Sequence, residues 1–307
     1  MGGDNLGAWP CSLAIHPKTA NRISSATAYY EPNKNKDNLV VITGAHATRI
    51  IFSSIQSGEA VAESVEYSKN GSIYTISAKK EVILAAGAFQ TPQVLELSGI
   101  GDTALLAKHG VSTVIDLPSV GQNYREQFLL PFFSPTRARM TPEPGKNYTS
   151  FGCAVVHPYA RGSIHIKSSD PLAPPEINLS VFDNPVDLAI MVAAVKYTRK
   201  LVATEVFKPV VAQEVVPGPS VQTDEEIEEY VRNAVGTTFH PVGTAAMLPR
   251  ELGGVVDAQL KVYGTRNVRV VDASIIPVQI SAHPLATVYA VAEKAADIIK
   301  LANRFHK

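Results

Sequence analysis

The sequence predicts a mixed fold, of the α/β or α+β class, with a sizeable core. The chain has 307 residues, of which 45% are hydrophobic, and its mean hydropathy is slightly positive. It can therefore bury enough apolar surface for one large domain or two. β-Branched, alternating segments fill much of the first hundred residues, and long helical patterns follow in the second half. Strand and helix patterns that share one chain in this way are typical of sheets covered by helices.

Charge and cysteine content exclude several classes of function. Lys plus Arg and Asp plus Glu both number 28, so no net field draws the chain to nucleic acid or to an anionic membrane. No apolar run reaches the roughly 18 residues that a membrane span needs. The two cysteines, Cys11 and Cys153, give neither a zinc spacing nor a redox pair. We expect free thiols or at most one disulfide, no metal site, no nucleic acid and no membrane.

The first predicted elements are strands. Residues 37–54 are β-branched and roughly alternating, which indicates a strand. Residues 60–80 predict two more strands around Asn70 and Gly71, because Asn-Gly favours a two-residue hairpin turn. Residues 81–86 are continuously apolar after the first position. They predict a buried strand that runs into a turn.

A helix follows, and it decides how a glycine motif is interpreted. Thr91 is a suitable N-cap with Pro92 at the first helical position, and Gly99 ends the apolar pattern. The next residues, Gly99, Gly101 and Ala104, match the loose dinucleotide pattern G-x-G-x-x-G/A. That pattern binds a pyrophosphate only when a strand precedes it and a helix opens from it. Here a helix precedes it, so we interpret it as a helix stop.

The middle of the chain predicts a linker and short strands. Residues 126–152 are rich in proline and polar residues, which is typical of a loop or linker. Residues 152–168 then suggest two short strands, and residues 267–274 suggest another.

Helix starts are well marked in the second half. Asn184 with Pro185 predicts one start, and Thr223 with Glu226 forms a capping-box pattern at another. A third helix is expected from about residue 285 to about residue 302.

Two of the eight histidines carry the main functional question. His240 and His283 each stand directly before a proline. An imidazole with a pKa near 6.5 is a suitable proton acceptor around neutral pH. From these residues alone, the structural interpretation, in which each is a polar residue beside a proline, is the favoured one.

Four consecutive blocks resemble one enzyme family. They are "RISSATAYYEPNKNKDNLVVITGAHATRI", "AAGAFQTPQVLELSGIG", "HPVGTAAM" and "GGVVDAQLKVYGTRNVRVVDASIIPVQISAHPLATVYAVAEKAADII". In this order they resemble glucose–methanol–choline (GMC) flavin oxidoreductases. Within that family they are most similar to the fungal glucose oxidase and aryl-alcohol oxidase branch. The resemblance implies an FAD-dependent enzyme that oxidises a small-molecule alcohol, with a hydride passing to the flavin and a histidine taking the hydroxyl proton.

The resemblance also assigns residues. His240 matches the catalytic base and His283 the second active-site residue, which reverses the structural interpretation of both. The cofactor contacts implied are the adenine-facing strand, the turn near the ribityl chain and pyrophosphate, and the start of the last helix. Ala47 lies on the strand that would face the adenine. Asp272 and Ala273 form the turn, and Pro284 and Thr287 open the last helix.

Departures from the family pattern shape the remaining expectations. Family members begin with a βαβ unit carrying G-x-G-x-x-G, and we expect this N-terminal dinucleotide-binding unit to be absent. The chain is short, relative to the family, between residues 128 and 147. Residues Tyr124, Arg125, Glu126 and Gln127 stand where the family has Leu-x-Asp-His. Since the glycine loop receives the pyrophosphate, FAD binding is expected to be weak or lost in the lone chain. An N-terminal partner chain or a homo-oligomer could complete the site.

The expected architecture is a truncated GMC-type fold. Residues 1–122 and 237–307 would form an interleaved remnant of the FAD-binding domain. Residues 123–236 would form a shortened, sheet-based substrate domain.

Three hypotheses for the function follow. The first is the FAD-dependent alcohol oxidoreductase, favoured by the retained flavin-facing turns. The second is a flavin-independent acid–base enzyme, such as an isomerase, lyase or cyclase, that uses the same histidine pair. The third is a non-catalytic binding protein, which gives no reason to keep both histidines. Bound flavin distinguishes the first from the second, while substrate and compartment stay open.

Overall fold

The computed structural model describes residues 13–56, 58–132 and 143–304. The chain divides into two compact units, Met1–Ala45 and His46–Lys307. Within the described part of the first unit, Ile15 and Arg22 form an isolated antiparallel bridge, and Ala26–Tyr30 forms a short π-helix. His240 and His283 belong to the second unit, as do all strands and α-helices described below. Cys11 lies outside the described residues.

The second unit opens with an antiparallel meander in the order β1-β2-β3. Its strands are β1 (His46–Gln56), β2 (Glu59–Lys69) and β3 (Ser72–Ser77). The hairpin prediction is confirmed, because Asn70 and Gly71 have φ of 51° and 77°, the left-handed values that a tight primed turn needs. The predicted start at residue 37 is wrong, since the strand begins only after a turn in which Gly44 has φ of 65°.

A parallel pair of strands brings distant parts of the chain together. β4 (Val82–Leu84) pairs with a late strand, Val268–Val270, in parallel register. This confirms a strand within residues 81–86 and the late strand predicted over residues 267–274. The first strand is buried only at Val82 and Leu84, since Ile83 is 46% exposed. The pairing also places the start of the next helix beside the turn that follows Val270.

Helix α1 (Gly87–Leu97) begins four residues before the predicted N-cap. Thr91 does not cap the helix; its hydroxyl donates to Asp272 Oδ2 at 2.6 Å. Pro92 lies inside the helix, where it cannot donate to the carbonyl four residues earlier. That carbonyl, on Ala88, instead accepts a 2.7 Å hydrogen bond from the Thr244 hydroxyl. Contacts from a distant segment therefore permit a helix that the local sequence argues against.

The glycine motif is a helix stop, as expected. Gly99 follows α1 with φ of 83°, and a Cβ there would lie 2.5 Å from the Ser112 carbonyl oxygen. After the short strand β5 (Ile100–Gly101), Asp102 caps α2 (Thr103–Lys108) by accepting from Leu105 N at 2.8 Å. β5 pairs in parallel with β6 (Ile115–Asp116).

The middle of the chain forms two small sheets and two helices. The first sheet has the order β11-β7-β8, and the second pairs β9 with β10. The strands are β7 (Phe128–Phe132), β8 (Phe151–Val155), β9 (Ser163–His165), β10 (Glu176–Asn178) and β11 (Gly236–Thr237). The linker predicted over residues 126–152 is therefore wrong where β7 forms and at its last two residues, which belong to β8. Its residues 133–142 lie outside the described residues. The two short strands predicted over residues 152–168 are confirmed.

The caps of the later helices are confirmed. α3 (Pro185–Val202) begins after Asn184, whose side chain accepts from Val186 N at 3.0 Å. α4 (Asp224–Ala234) has the full capping box, with Thr223 and Glu226 bonded in both directions. The late strand is β12 (Val268–Val270), and α5 (Leu285–Arg304) closes the fold.

Two larger hydrophobic clusters underlie these elements. One draws on residues 50–120 and 242–295, and the other on residues 128–231. The chain enters the second cluster at β7 and returns to the first cluster just after β11, and these two strands pair with each other. This crossing is where the candidate site forms.

Candidate active site

The two histidines selected from the sequence lie side by side. The imidazole centroids of His240 and His283 are 5.3 Å apart, with the rings at 79°. His240 follows β11, and Phe239 before it turns the chain with φ of 60°. His283 ends the loop that leads into α5. Segments more than 40 residues apart thus present two imidazoles to one place.

An open cleft of about 620 Å³ surrounds the pair. Its walls come from β7, β8, the segment after β11 and the loop before α5. They include Gln127, Leu129, Ala154, Thr238, His240 and His283. The walls thus combine apolar surface with a few convergent polar groups, which is typical of a small-molecule site.

The carboxylate of Glu126 holds the backbone at His240. Its Oε1 accepts from His240 N at 2.8 Å, from Gln127 N at 2.9 Å and from the Thr238 hydroxyl at 3.1 Å. The Tyr124 hydroxyl donates to Oε2 at 3.4 Å. Burial raises the pKa of the Glu126 carboxyl, and these donated hydrogen bonds oppose the rise. The carboxylate is therefore an internal anchor for the turn that carries His240.

The side chain of Gln127 contacts both histidine segments. Its Oε1 lies 2.7 Å from His240 Nδ1. Its Nε2 donates to the carbonyls of Ile280 at 2.7 Å and Ala282 at 3.3 Å. A second glutamine, Gln279, donates to the His240 carbonyl at 2.7 Å. The loop before His283 is therefore fastened to the turn that carries His240.

The surroundings of His240 favour the neutral form of its imidazole. Burial lowers the pKa of His240 below its ordinary value, and the neighbouring His283 lowers it further. A neutral imidazole is the form that accepts a proton. Nε2 of His240 has no hydrogen-bond partner among the described residues.

Asp272, assigned to the cofactor, turns its carboxylate into the fold. Oδ2 accepts from Gly87 N at 3.0 Å and from the Thr91 hydroxyl at 2.6 Å. Oδ1 accepts from Ser274 N at 2.8 Å. The side chain is buried and joins the end of β12 to the start of α1. Only the backbone at this turn is left to face a ligand, since the N–H groups of Asp272 and Ala273 donate to none of the described residues.

The other cofactor candidates lie outside the walls of the histidine cleft. Ala47 is exposed on β1, which is an edge strand of the meander. Pro284 lies directly before α5, and its carbonyl accepts from Val288 N at 2.8 Å. Thr287 is in the first turn of that helix. The structure therefore brings the two catalytic candidates together in one cleft, while the cofactor candidates are not among the residues that line it.

Comparison with known proteins identifies the family. A family model described as GMC oxidoreductase, covering the C-terminal part of such proteins, matches residues 158–292. A second model for the N-terminal part, also described as GMC oxidoreductase, matches residues 4–128. The chain belongs to the GMC oxidoreductase family. The expected absence of the N-terminal unit is wrong, because residues 4–128 match its model.

Relatives and solved structures agree with this assignment. The GMC oxidoreductase family protein Mala s 12 of Malassezia sympodialis is 35% identical, over 97% of this chain and 62% of the relative. An FAD-dependent oxidoreductase from Chaetomium thermophilum has a TM-score of 0.86 at 25% identity, over 95% of this chain and 66% of that one. A fungal aryl-alcohol oxidase has a TM-score of 0.83 at 27% identity, over 93% and 65%. The fold class, the fungal branch and FAD as the cofactor of such proteins are thus borne out.

This GMC oxidoreductase chain spans about 62% of the length of the relative from Malassezia. Their alignment runs over 382 positions, more than the 307 residues of the chain. The relative therefore carries internal segments that this chain lacks.

Sequence reasoning missed three residues that build the site. Glu126 and Gln127 were noticed only as departures from the family ending, and Gln279 was not noticed. The available signal was the position of the departures, which fall directly before β7. Their partners lie more than 110 residues away along the chain, so no local pattern could assign them.

Two other kinds of feature are absent from the described part of the chain. Among residues 13–56, 58–132 and 143–304, no three His, Cys, Asp or Glu side chains are grouped so that they could hold a metal ion. No helix in the described part of the chain is both long and apolar enough for a membrane span. Cys153 is a buried free thiol.

Proposed function

We propose that this chain serves an FAD-dependent oxidation of a small-molecule alcohol, with His240 as the proton acceptor. The observation that carries the proposal is the pair of imidazoles 5.3 Å apart in an open cleft. Burial and the neighbouring His283 lower the pKa of His240, and its Nε2 has no partner among the described residues. The similarity to an FAD-dependent oxidoreductase from Chaetomium thermophilum and to a fungal aryl-alcohol oxidase supports the cofactor and the substrate class.

The proton-transfer step follows from the hydrogen bonds of the site. An alcohol in the cleft would donate its hydroxyl to Nε2 of His240 and lose that proton as the carbonyl product forms. His283 would hold the same oxygen from the other side, since an imidazole can both donate and accept. Glu126 and Gln127 would keep the acceptor in place through its backbone and its second ring nitrogen.

The chain also offers donors that fit a flavin nucleotide. The backbone N–H groups of Asp272 and Ala273, which donate to none of the described residues, suit an anionic or carbonyl oxygen. Pro284 and Thr287 stand at the start of α5, a 20-residue helix whose positive dipole end favours negative charge. Ala47, on the edge of the meander, would face the adenine. FAD, when bound, would supply the acceptor for the hydride that leaves the alcohol carbon.

The domain division that we propose follows the same logic. Residues 1–122 and 237–307 would serve the cofactor, and residues 123–236 would serve the substrate. Support comes from the two hydrophobic clusters, which draw on matching parts of the chain. His240 and Gln127 stand close to the two boundaries.

A flavin-independent acid–base reaction is the second candidate. It is favoured by one observation, namely that residues of this chain alone assemble the histidine cleft and its hydrogen bonds. An isomerase, lyase or cyclase would need only the proton acceptor and its neighbour.

The deciding experiment is an absorbance spectrum between 350 and 500 nm, recorded before and after incubation with FAD and desalting. A retained flavin spectrum, with oxidation of an alcohol panel that His240→Ala abolishes, supports the oxidoreductase. A folded, colourless protein that stays inactive with FAD contradicts it. Assays for proton-transfer reactions would then test the second candidate.

A further inference from the structure

We propose that Gln127 is a positioning residue that sets the tautomer of His240 and the spacing of the histidine pair. This inference rests on the proposed function for its meaning, but not for its test. It assigns a role to a residue at which the chain departs from the usual histidine of the family ending. The argument starts from the three contacts of one amide.

The orientation of the Gln127 amide follows from its surroundings. The nitrogen and oxygen of an amide are distinguished by the groups that they contact. A backbone carbonyl can only accept, so the atom facing the carbonyls of Ile280 and Ala282 must be Nε2. Oε1 then points at His240 Nδ1, 2.7 Å away. Turning the amide over would place an oxygen against two carbonyl oxygens.

The orientation of the amide dictates the tautomer of the imidazole. Because Oε1 of Gln127 is an acceptor, Nδ1 of His240 must carry the hydrogen and donate it. A neutral imidazole has one protonated nitrogen and one with a free lone pair. Nε2 of His240 therefore holds the lone pair, and it is also the nitrogen with no partner among the described residues. The hydrogen bond at one ring nitrogen thus prepares the other for proton transfer.

An amide has a property that a carboxylate at this position would lack. A carboxylate beside Nδ1 would favour the imidazolium ion and raise the pKa of His240. The Gln127 amide orients the ring without adding charge. The local surroundings instead lower the pKa of His240, through burial and the neighbouring His283.

The same amide also fixes the second histidine. Ile280 and Ala282, the acceptors of Gln127 Nε2, belong to the loop that ends at His283. A single side chain therefore links the ring of His240 to the backbone that carries His283. Gln279 also joins these segments, but it reaches only the backbone carbonyl of His240. This difference makes Gln279 a matched control.

The test is a nitrogen NMR measurement on the full chain labelled with ¹⁵N-histidine. The His240 signals are assigned by their loss in His240→Asn. In the wild-type chain at neutral pH, we expect the Nδ1–H tautomer to predominate at His240. Predominance of the Nε2–H tautomer overturns the proposal without any variant, so a folding failure cannot leave it undecided.

Variants then isolate the role of Gln127. Gln127→Met removes both the acceptor and the donor, and should give a mixture of tautomers. Gln279→Met should leave the tautomer unchanged. Gln127→Glu keeps an acceptor but adds a charge, and should raise the pKa of His240 by about one pH unit or more. An unchanged tautomer in Gln127→Met, or an unchanged pKa in Gln127→Glu, contradicts the proposal.

The readout separates this inference from the proposed function. The tautomer is observed without FAD, substrate or turnover. Alcohol oxidation together with an Nε2–H tautomer at His240 would contradict the role of Gln127 but agree with the proposed function. An Nδ1–H tautomer without flavin binding would support Gln127 and count against the function.

Discussion

The histidine cleft and the Asp272 turn are built in similar ways, but only one of them keeps a side-chain atom available. In each, a buried carboxylate gathers several donors. Glu126 holds the backbone of a neighbouring segment, which leaves Nε2 of His240 without a partner among the described residues. The carboxylate oxygens of Asp272 accept hydrogen bonds from Gly87, Thr91 and Ser274, so they are already occupied. A family role carried over by residue type therefore says little about which atom of that residue can act.

The comparison predicts that variants in the histidine cleft lose activity and that variants at the Asp272 turn lose stability. The largest expected effect is that of His240→Ala. Removing the proton acceptor should lower the alcohol oxidation rate by about 100-fold to 10,000-fold. It should barely change stability, because His240 is only half-buried. Steady-state rates and urea unfolding of the same preparation measure both. Retained activity would show that the cleft is not where the proton leaves.

Asp272→Ala should show the reverse pattern in its direct effect. Three buried or half-buried donors lose their acceptor, so the free energy of unfolding should fall by about 3 kcal/mol or more. Thr91→Val, which removes only one of these donors, should cost about half as much. Urea unfolding monitored by circular dichroism measures both. Loss of flavin with unchanged stability in Asp272→Ala would mean that its carboxylate faces the cofactor after all.

His283→Asn tests how the pair works and should have a smaller effect. The asparagine amide can still hold an alcohol oxygen, so the rate should fall by about tenfold rather than vanish. His283→Ala, which cannot hydrogen-bond, is the matched comparison and should be slower. Steady-state rates with one alcohol rank the two. Equal rates in both variants would mean that His283 does not touch the substrate oxygen.

The smallest prediction concerns stability and pH. The pKa of His240 is lower in the folded chain than in the unfolded chain, so the unfolded chain binds the proton first as pH falls. Stability should therefore rise with pH through the window just below about 6.5 and be lost as pH falls through it. His240→Asn should flatten this part of the curve, measured by urea unfolding at several pH values. An unchanged slope would place the titrating group elsewhere.

Local patterns could predict elements whose signals lie close together in the chain. Asn184 and the Thr223 capping box marked two helices correctly, and Asn70-Gly71 marked the hairpin. The start of α1 could not be predicted in this way. Its Pro92 is tolerated because Thr244, about 150 residues later, satisfies the carbonyl that the proline leaves free.

The candidate site shows the same limit. The family blocks selected His240 and His283, and the structure brings them together. The residues that hold them, Glu126 and Gln127, act across more than 110 residues of chain. They were visible in the sequence only as exceptions to a pattern. Their roles depend on the pairing of β11 with β7, which no local sequence signal specifies.

The central claim is that His240 is a neutral proton acceptor coupled to His283, and a titration by NMR tests it most directly. The pKa of His240 is measured in the full-length chain and in His283→Asn. We predict a value below about 6.5 in the wild type, and a higher value once the neighbouring imidazole is gone. A wild-type value at or above the ordinary one, with no response to His283→Asn, would contradict the account.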